Sequence, residues 1–138
     1  MVKIRMQRVG LKRQPSYRIV VTDSRKARNG NVIERIGHHN PRTRPETNVI
    51  AEDRALYWLS VGAQPSDAVR RIMGVTGTWA RFERLRAGEE METLVAEAVA
   101  AAEAAEPTSL KTEYPAPAAG ESKIKAREAA LEAEGAEE

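Results

Sequence analysis

Stretches of alternating apolar and polar residues, followed by stretches with helical spacing, constrain the fold of this chain more than any other feature. Residues 2–6 alternate apolar with charged side chains, which is the period of a half-buried strand. Residues 17–22 and 32–36 are rich in β-branched side chains and predict a second and a third strand, the latter closed by Gly37. Residues 47–50 fit a short fourth strand.

Helical spacing replaces alternation after residue 50. Residues 55–59 form an apolar helical face, and Gly62 suits the C-terminal end of that helix. Ser66 is a predicted N-cap for a second helix that ends at Gly74, and Thr78 is a predicted N-cap for a third. Strands followed by helices predict the α+β class, with a small, mainly antiparallel four-stranded sheet and short helices packed on it.

The apolar residues divide the chain into three parts. Five of the six aromatic residues precede residue 87, so the hydrophobic core is assigned to residues 1–86. Residues 87–106 are rich in Ala and Glu, and their spacing predicts one amphipathic helix. Residues 107–138 are interpreted as a linker and an acidic tail, for which a charged helix and a disordered state both stay open.

The formal net charge of +2 conceals two oppositely charged segments. Residues 1–86 contain 18 basic residues, 15 of them Arg, against 7 acidic ones, a net charge of +11. Residues 87–138 contain 4 basic and 13 acidic residues, a net charge of −9. This asymmetry indicates a domain that binds a polyanion, followed by an acidic tail.

Several classes of protein lack support in the sequence. The absence of cysteine excludes disulfides, thiol catalysis and thiolate metal sites. No glycine-rich phosphate-binding loop occurs, and no apolar run approaches the roughly 20 residues of a membrane helix. The first residues lack the apolar stretch of a signal peptide. We therefore expect a cytoplasmic protein without cofactor, metal, membrane contact or small-molecule substrate, and no homo-oligomer.

An enzymatic alternative rests on a few titratable residues. Asp23, Glu34 and the pair His38–His39 would have to surround a divalent ion in a nuclease. Adjacent histidines on an extended segment point to opposite sides, however, and no third histidine is available. The more ordinary interpretation of the pair is a loop edge where imidazole stacks or donates to a phosphate.

The basic residues favour RNA over DNA as the polyanion. No predicted helix carries a long basic face that could read a major groove, whereas Arg-rich loops suit irregular folded RNA recognised by shape and phosphate position. A general DNA-binding module, and an interaction protein acting through the tail alone, remain as alternatives. The predicted RNA-binding residues are Lys3, Arg5, Arg8, Lys12, Arg13, Arg18, Arg25, Lys26, Arg28, Arg35, His38, His39, Asn40, Arg42, Arg44 and Arg70.

Several strings, in order and at matching spacing up to about residue 77, resemble the bacterial small-subunit ribosomal protein sixteen family. The combination is specific although no single string is. The strings are MVKIR at residues 1–5, PSYRIVV at 15–21, DSR at 23–25, RNG at 28–30, IG at 36–37, NP at 40–41, YWL at 57–59 and GAQPSD at 62–67.

The resemblance implies a structural component of the small ribosomal subunit with a small α+β fold, which binds the ribosomal RNA of the subunit early in assembly. It implies further that the first strand, the first hairpin and the loop of residues 23–30 lie against RNA, and that neighbouring small-subunit proteins are partners. This chain has His39 where family members usually carry an aromatic residue before Asn40. The tail after Arg86 lies outside the resemblance.

Overall fold

A five-stranded sheet forms one layer of the protein in the computed structural model, which describes residues 1–105 and residue 107. The strands are β1 (Val2–Val9), β2 (Ser16–Asp23), β3 (Glu34–Asn40), β4 (Thr47–Ile50) and β5 (Gln64–Pro65). Their order in the sheet is β4-β3-β2-β1-β5; β5 is parallel to β1, and the other neighbours are antiparallel. The predicted linker and acidic tail lie outside the described residues, apart from residue 107.

Two details of the sheet differ from the prediction. The sheet has a fifth strand of only two residues, too short to show alternation, which pairs Gln64 with Lys3 and is secured by the Ser66 amide donating to the Ile4 carbonyl oxygen at 2.9 Å. The third strand does not close at Gly37 but continues to Asn40, because β2 and β4 pair with it on both sides there.

Four helices follow the antiparallel strands, and they confirm the α+β class. They are α1 (Glu52–Ser60), α2 (Asp67–Thr76), α3 (Thr78–Ala87) and α4 (Met91–Ala104), and α4 is the helix expected between residues 87 and 106. No helix in the described part of the chain is long and apolar enough to cross a membrane.

The junction between α2 and α3 corrects two helix predictions. The second helix passes Gly74 and ends at Thr76, before Gly77 adopts a left-handed conformation with φ of 83°. Gly77, not Thr78, is the N-cap of α3, and the Thr78 hydroxyl donates instead to the Glu52 carboxylate at 2.6 Å. Ser66 does occupy the N-cap position of α2, although its side chain makes no capping hydrogen bond.

The hydrophobic core lies between the sheet and the helices. Partners in the β1–β2 register, such as Ile4 with Val21, point to the same side of the sheet and meet helical residues there. Trp58, Trp79 and Phe82 pack at its margin. The buried residues of the main core cluster are Ile4, Ile19, Val21, Ile36, Ala55, Leu59, Ala63, Val69, Ile72 and Met73.

Candidate nucleic-acid interface

The strand register directs a set of basic side chains to the face of the sheet that the helices leave uncovered. Arg5 and Arg35 both pair with Val20, and Arg18 pairs with His38, so these residues share the face opposite the core. We refer to this surface as the outer face. Its cationic and polar members from the predicted set are Lys3, Arg5, Arg18, Arg35, His38 and Asn40.

Arg5 attaches a basic loop to the outer face. Its Nη2 donates to the carbonyl oxygen of Asp23 at 2.9 Å and to that of Lys26 at 2.8 Å. The planar guanidinium can serve two carbonyl oxygens at once, which a lysine ammonium on a flexible stem does less well. Arg5 therefore positions other cations, a role that its type and spacing did not indicate.

The loop of residues 24–33 folds across one end of the outer face. The Gln7 side-chain amide donates to the Gly30 carbonyl oxygen at 3.4 Å, and the Thr22 hydroxyl donates to that of Asn31 at 3.2 Å. The Arg25 amide donates to the Asp23 carboxylate at 2.9 Å, which lowers the pKa of that carboxyl. These contacts hold the backbone while the side chains of Arg25, Lys26 and Arg28 remain exposed.

The turn between β1 and β2 presents a second group of cations. Lys12 and Arg13 are exposed at its tip, and Arg8 is exposed near the end of β1. The turn is shaped by left-handed backbone at Gly10, with φ of 96°, and at Arg13, with φ of 59°. Its side chains extend beyond the end of the sheet.

The segment between β3 and β4 carries the third group and folds toward that turn. The Asn40 carboxamide oxygen accepts from the Arg42 amide at 3.0 Å, which fixes the start of the segment. The Arg42 guanidinium donates to the Gln14 carboxamide oxygen at 3.4 Å. Thr43 is buried and donates to the Asn40 carbonyl oxygen at 3.2 Å, whereas Arg44 is exposed.

The two histidines point to opposite sides of β3, as their adjacency predicts. His38 lies on the outer face with Nε2 2.9 Å from the Ser16 hydroxyl. His39 is only 8% exposed; its Nδ1 lies 2.6 Å from the Asn48 carboxamide oxygen, and its ring stacks on Tyr17 with centroids 6.0 Å apart. The contacts of His39 are therefore with Asn48 and Tyr17 inside the protein, and its ring lies apart from the exposed cations.

Arg70 is the one predicted residue that belongs to the helical layer. It is exposed on α2, and its guanidinium carbon lies 4.5 Å from the centre of the Trp79 ring. The fold does not bring it together with the outer face, because the sheet and the core separate the two surfaces.

Three arginines of the helices take part in ion pairs that sequence reasoning missed. Arg54 contacts Glu34 at 2.7 Å, Arg81 contacts Glu52 at 3.0 Å, and Arg84 contacts two glutamates. Three of the four pairs join residues that are 13 to 29 positions apart, so no local spacing could have indicated those three. Much of the positive charge of the helices is therefore neutralised by glutamates of the same chain.

The carboxylates that the nuclease alternative requires take part in other interactions within the protein. Glu34 accepts hydrogen bonds from Arg54 and from the Trp58 indole, and these lower its pKa from 4.5 to about 2. Within the described part of the chain, no three His, Cys, Asp or Glu residues are grouped so that they could hold a metal ion.

Comparisons with known proteins match the part of the chain that carries these residues. The family model described as "Ribosomal protein S16" matches residues 8–66. "Small ribosomal subunit protein bS16" of Bifidobacterium longum is 52% identical over 87 residues, which cover 63% of this chain and 57% of that protein. The protein of the same name from Kocuria rhizophila is 50% identical over 88 residues, 64% of this chain and 62% of the relative.

The similarity spans less than two thirds of the length of these relatives. The residues that the family model matches hold β2, β3, β4, α1, β5 and the basic loops. The family is one of structural proteins rather than enzymes. Over this basic α+β domain, the chain is similar to the bacterial ribosomal protein S16 family.

Proposed function

We propose that this protein is a structural constituent of the small ribosomal subunit that binds folded small-subunit ribosomal RNA during assembly and translation. The observation that carries the proposal is that the cations are concentrated on one side of the protein. The outer face, the end of β1 and the three adjoining loops hold fourteen of the sixteen predicted residues, opposite an ion-paired helical layer. The proposal places the protein in the cytoplasm, within the ribosome.

Binding RNA in this way requires positive side chains at the positions of the phosphates, and it involves no covalent step. The Arg side chains present planar donors that match phosphate oxygens. Two of the loops lie together at one end of the sheet, and the loop of residues 24–33 lies at the other end. Such a surface suits a junction where several RNA segments converge, because each loop neutralises a separate group of phosphates. His39 and Arg5 support this arrangement by holding Tyr17 and the loop of residues 24–33 in place.

Competition binding tests the proposal directly. The purified full chain is titrated into labelled small-subunit ribosomal RNA, and unlabelled RNA or duplex DNA is then added in excess. We expect the RNA to displace the label and the DNA to displace it far less. Equal displacement by both would favour a general DNA-binding module and contradict the proposal.

A second measurement addresses the assembled particle. We expect the full chain to co-sediment with small ribosomal subunits after a high-salt wash, together with neighbouring small-subunit proteins. Complete release under conditions that leave those proteins bound would contradict a structural role.

A further inference from the structure

The tip of the turn between β1 and β2 carries an apolar side chain among its cations. Leu11 is 72% exposed and directly precedes the exposed Lys12 and Arg13. A single exposed leucine is common on protein surfaces, and exposure alone indicates no function. Leu11 differs from such a residue because it lies at the end of a projecting turn, within a surface that the proposed function assigns to RNA.

The backbone of this turn is held in one conformation. The Gln14 amide donates to the Leu11 carbonyl oxygen at 3.0 Å, and Gly10 has a positive φ of 96°. A Cβ at position 10 would clash with the Gln14 carbonyl oxygen, so the turn requires glycine there. The Gln14 side chain also accepts from Arg42, which attaches the turn to the segment between β3 and β4. Leu11 is therefore presented at a fixed position, and little backbone freedom is lost when it makes a contact.

The cations beside Leu11 determine which part of an RNA it meets. In the proposed function Lys12 and Arg13 bind phosphates, whereas a leucine side chain has no hydrogen-bond donor and gains nothing from a phosphate. The apolar surface that RNA offers is the face of a base, and a regular A-form helix stacks those faces inside. Loops, bulges and ends expose them. An apolar group next to phosphate-binding cations therefore matches an unstacked base.

We propose that Leu11 packs against an unstacked base of the small-subunit ribosomal RNA, and that this contact favours irregular RNA over a regular duplex. The inference rests on the proposed function and adds to it a contact that does not depend on charge. Contacts to phosphates position a protein on a nucleic acid, whereas contacts to bases provide the selection. Lys12 and Arg13 have the first role, and Leu11 has the second.

Binding titrations of the full chain over a range of salt concentrations test this contact. With labelled small-subunit ribosomal RNA, Leu11→Ser should bind about tenfold more weakly than the wild type at each salt concentration. The slope of log K against log salt should not change, because no phosphate contact is lost. Leu11→Met keeps an apolar side chain of similar size and should bind like the wild type. Val75→Ser is the matched control, since Val75 is 74% exposed on α2 in the helical layer, and it should leave the affinity unchanged.

A short, fully paired RNA duplex supplies the second part of the test. Because the duplex offers no unstacked base within its length, the wild type and Leu11→Ser should bind it equally. The variant should therefore lose about tenfold of its preference for ribosomal RNA over the duplex.

Two results would overturn the inference. Equal binding of ribosomal RNA by the wild type and Leu11→Ser would show that the side chain contacts no base, and weaker incorporation of that variant into small subunits would then indicate a protein as its partner. An equal loss of affinity for ribosomal RNA and for the duplex would assign the effect to a disturbed turn. The proposed function fails separately, when the wild-type chain does not prefer ribosomal RNA to duplex DNA.

Discussion

Arg54 and Glu34 join α1 to β3 through two parallel hydrogen bonds, from Nε and Nη2 of the guanidinium to the two carboxylate oxygens, each 2.7 Å long. The Trp58 indole donates to the same carboxylate at 2.7 Å. The three donors stabilise the ionised carboxylate and lower the pKa of Glu34 to about 2. One carboxylate thus fixes a helix to the strand that carries Arg35 and both histidines.

Glu34→Gln should lower the melting temperature at neutral pH and reduce its dependence on pH. Because the folded-state pKa lies below the ordinary value of 4.5, the stabilisation is fully present above pH 4.5 and is lost as the pH falls toward about 2. The difference in melting temperature between wild type and variant should therefore shrink over that interval. Glu103→Gln, on the exposed side of α4, is the control and should leave the profile unchanged.

Arg5→Lys should loosen the loop of residues 24–33 while leaving the sheet intact. Lysine keeps the charge but cannot reproduce both hydrogen bonds, to the carbonyl oxygens of Asp23 and Lys26, in the same planar geometry. Hydrogen bonds from charged donors contribute about 1.5–3 kcal/mol each, so limited proteolysis within the loop should accelerate clearly. Arg8→Lys, on the same strand but exposed, should be cleaved like the wild type.

Hydrophobic periodicity predicted most of the fold, because each of these strands and helices shows its buried face in residues that are close together in the sequence. The alternation in residues 2–6 and the helical face at residues 55–59 each report which side chains meet the core. β5 was missed because two residues show no period, and it exists only through its pairing with Lys3 and Ile4.

The composition of the candidate interface was predictable, but the role of each member was not. A count of charges puts Arg5 and Arg28 in one class. Arg5, however, donates hydrogen bonds to two backbone carbonyl oxygens, whereas Arg28 is exposed. The sequence alone cannot separate them, since the carbonyl oxygens that Arg5 contacts lie 18 and 21 residues away. Arg70 was grouped with these cations by charge, yet it lies in the helical layer beside Trp79.

Arg81→Ala should destabilise the protein strongly, because it leaves a buried carboxylate without its cation. The Arg81 side chain is 9% exposed and the Glu52 side chain is 12% exposed. Burial raises the pKa of Glu52 even though Thr78 and Arg81 donate to it. Breaking such a pair costs about 3–5 kcal/mol, measurable as a lower midpoint of urea unfolding. Arg71→Ala, exposed on α2, is the matched control and should shift the midpoint only slightly.

Two glycine substitutions should have opposite effects on stability. A Cβ at position 37 would clash with the Val49 carbonyl oxygen and lie 3.3 Å from Ile19 Cδ1, so Gly37→Ala must separate β3 from β4. A Cβ at position 74, within α2, meets nothing within 4 Å. Gly74→Ala should therefore stabilise the helix by about 0.5–1 kcal/mol. Thermal unfolding of both variants checks the pair, and a stabilising Gly37→Ala would contradict the described β3–β4 contact.

Neutralising single arginines of the outer face and its loops should change how RNA binding depends on salt. Each phosphate contact contributes about 0.7–0.9 to the slope of log K against log salt, so Arg28→Gln and Arg35→Gln should each reduce the slope by nearly one contact. Arg71→Gln removes the same charge from the helical layer and should leave the slope close to that of the wild type. Binding titrations of the full chain with small-subunit ribosomal RNA over a range of salt concentrations measure this difference. Equal reductions in all three variants would mean that the RNA responds to net charge alone, and that the outer face has no particular role.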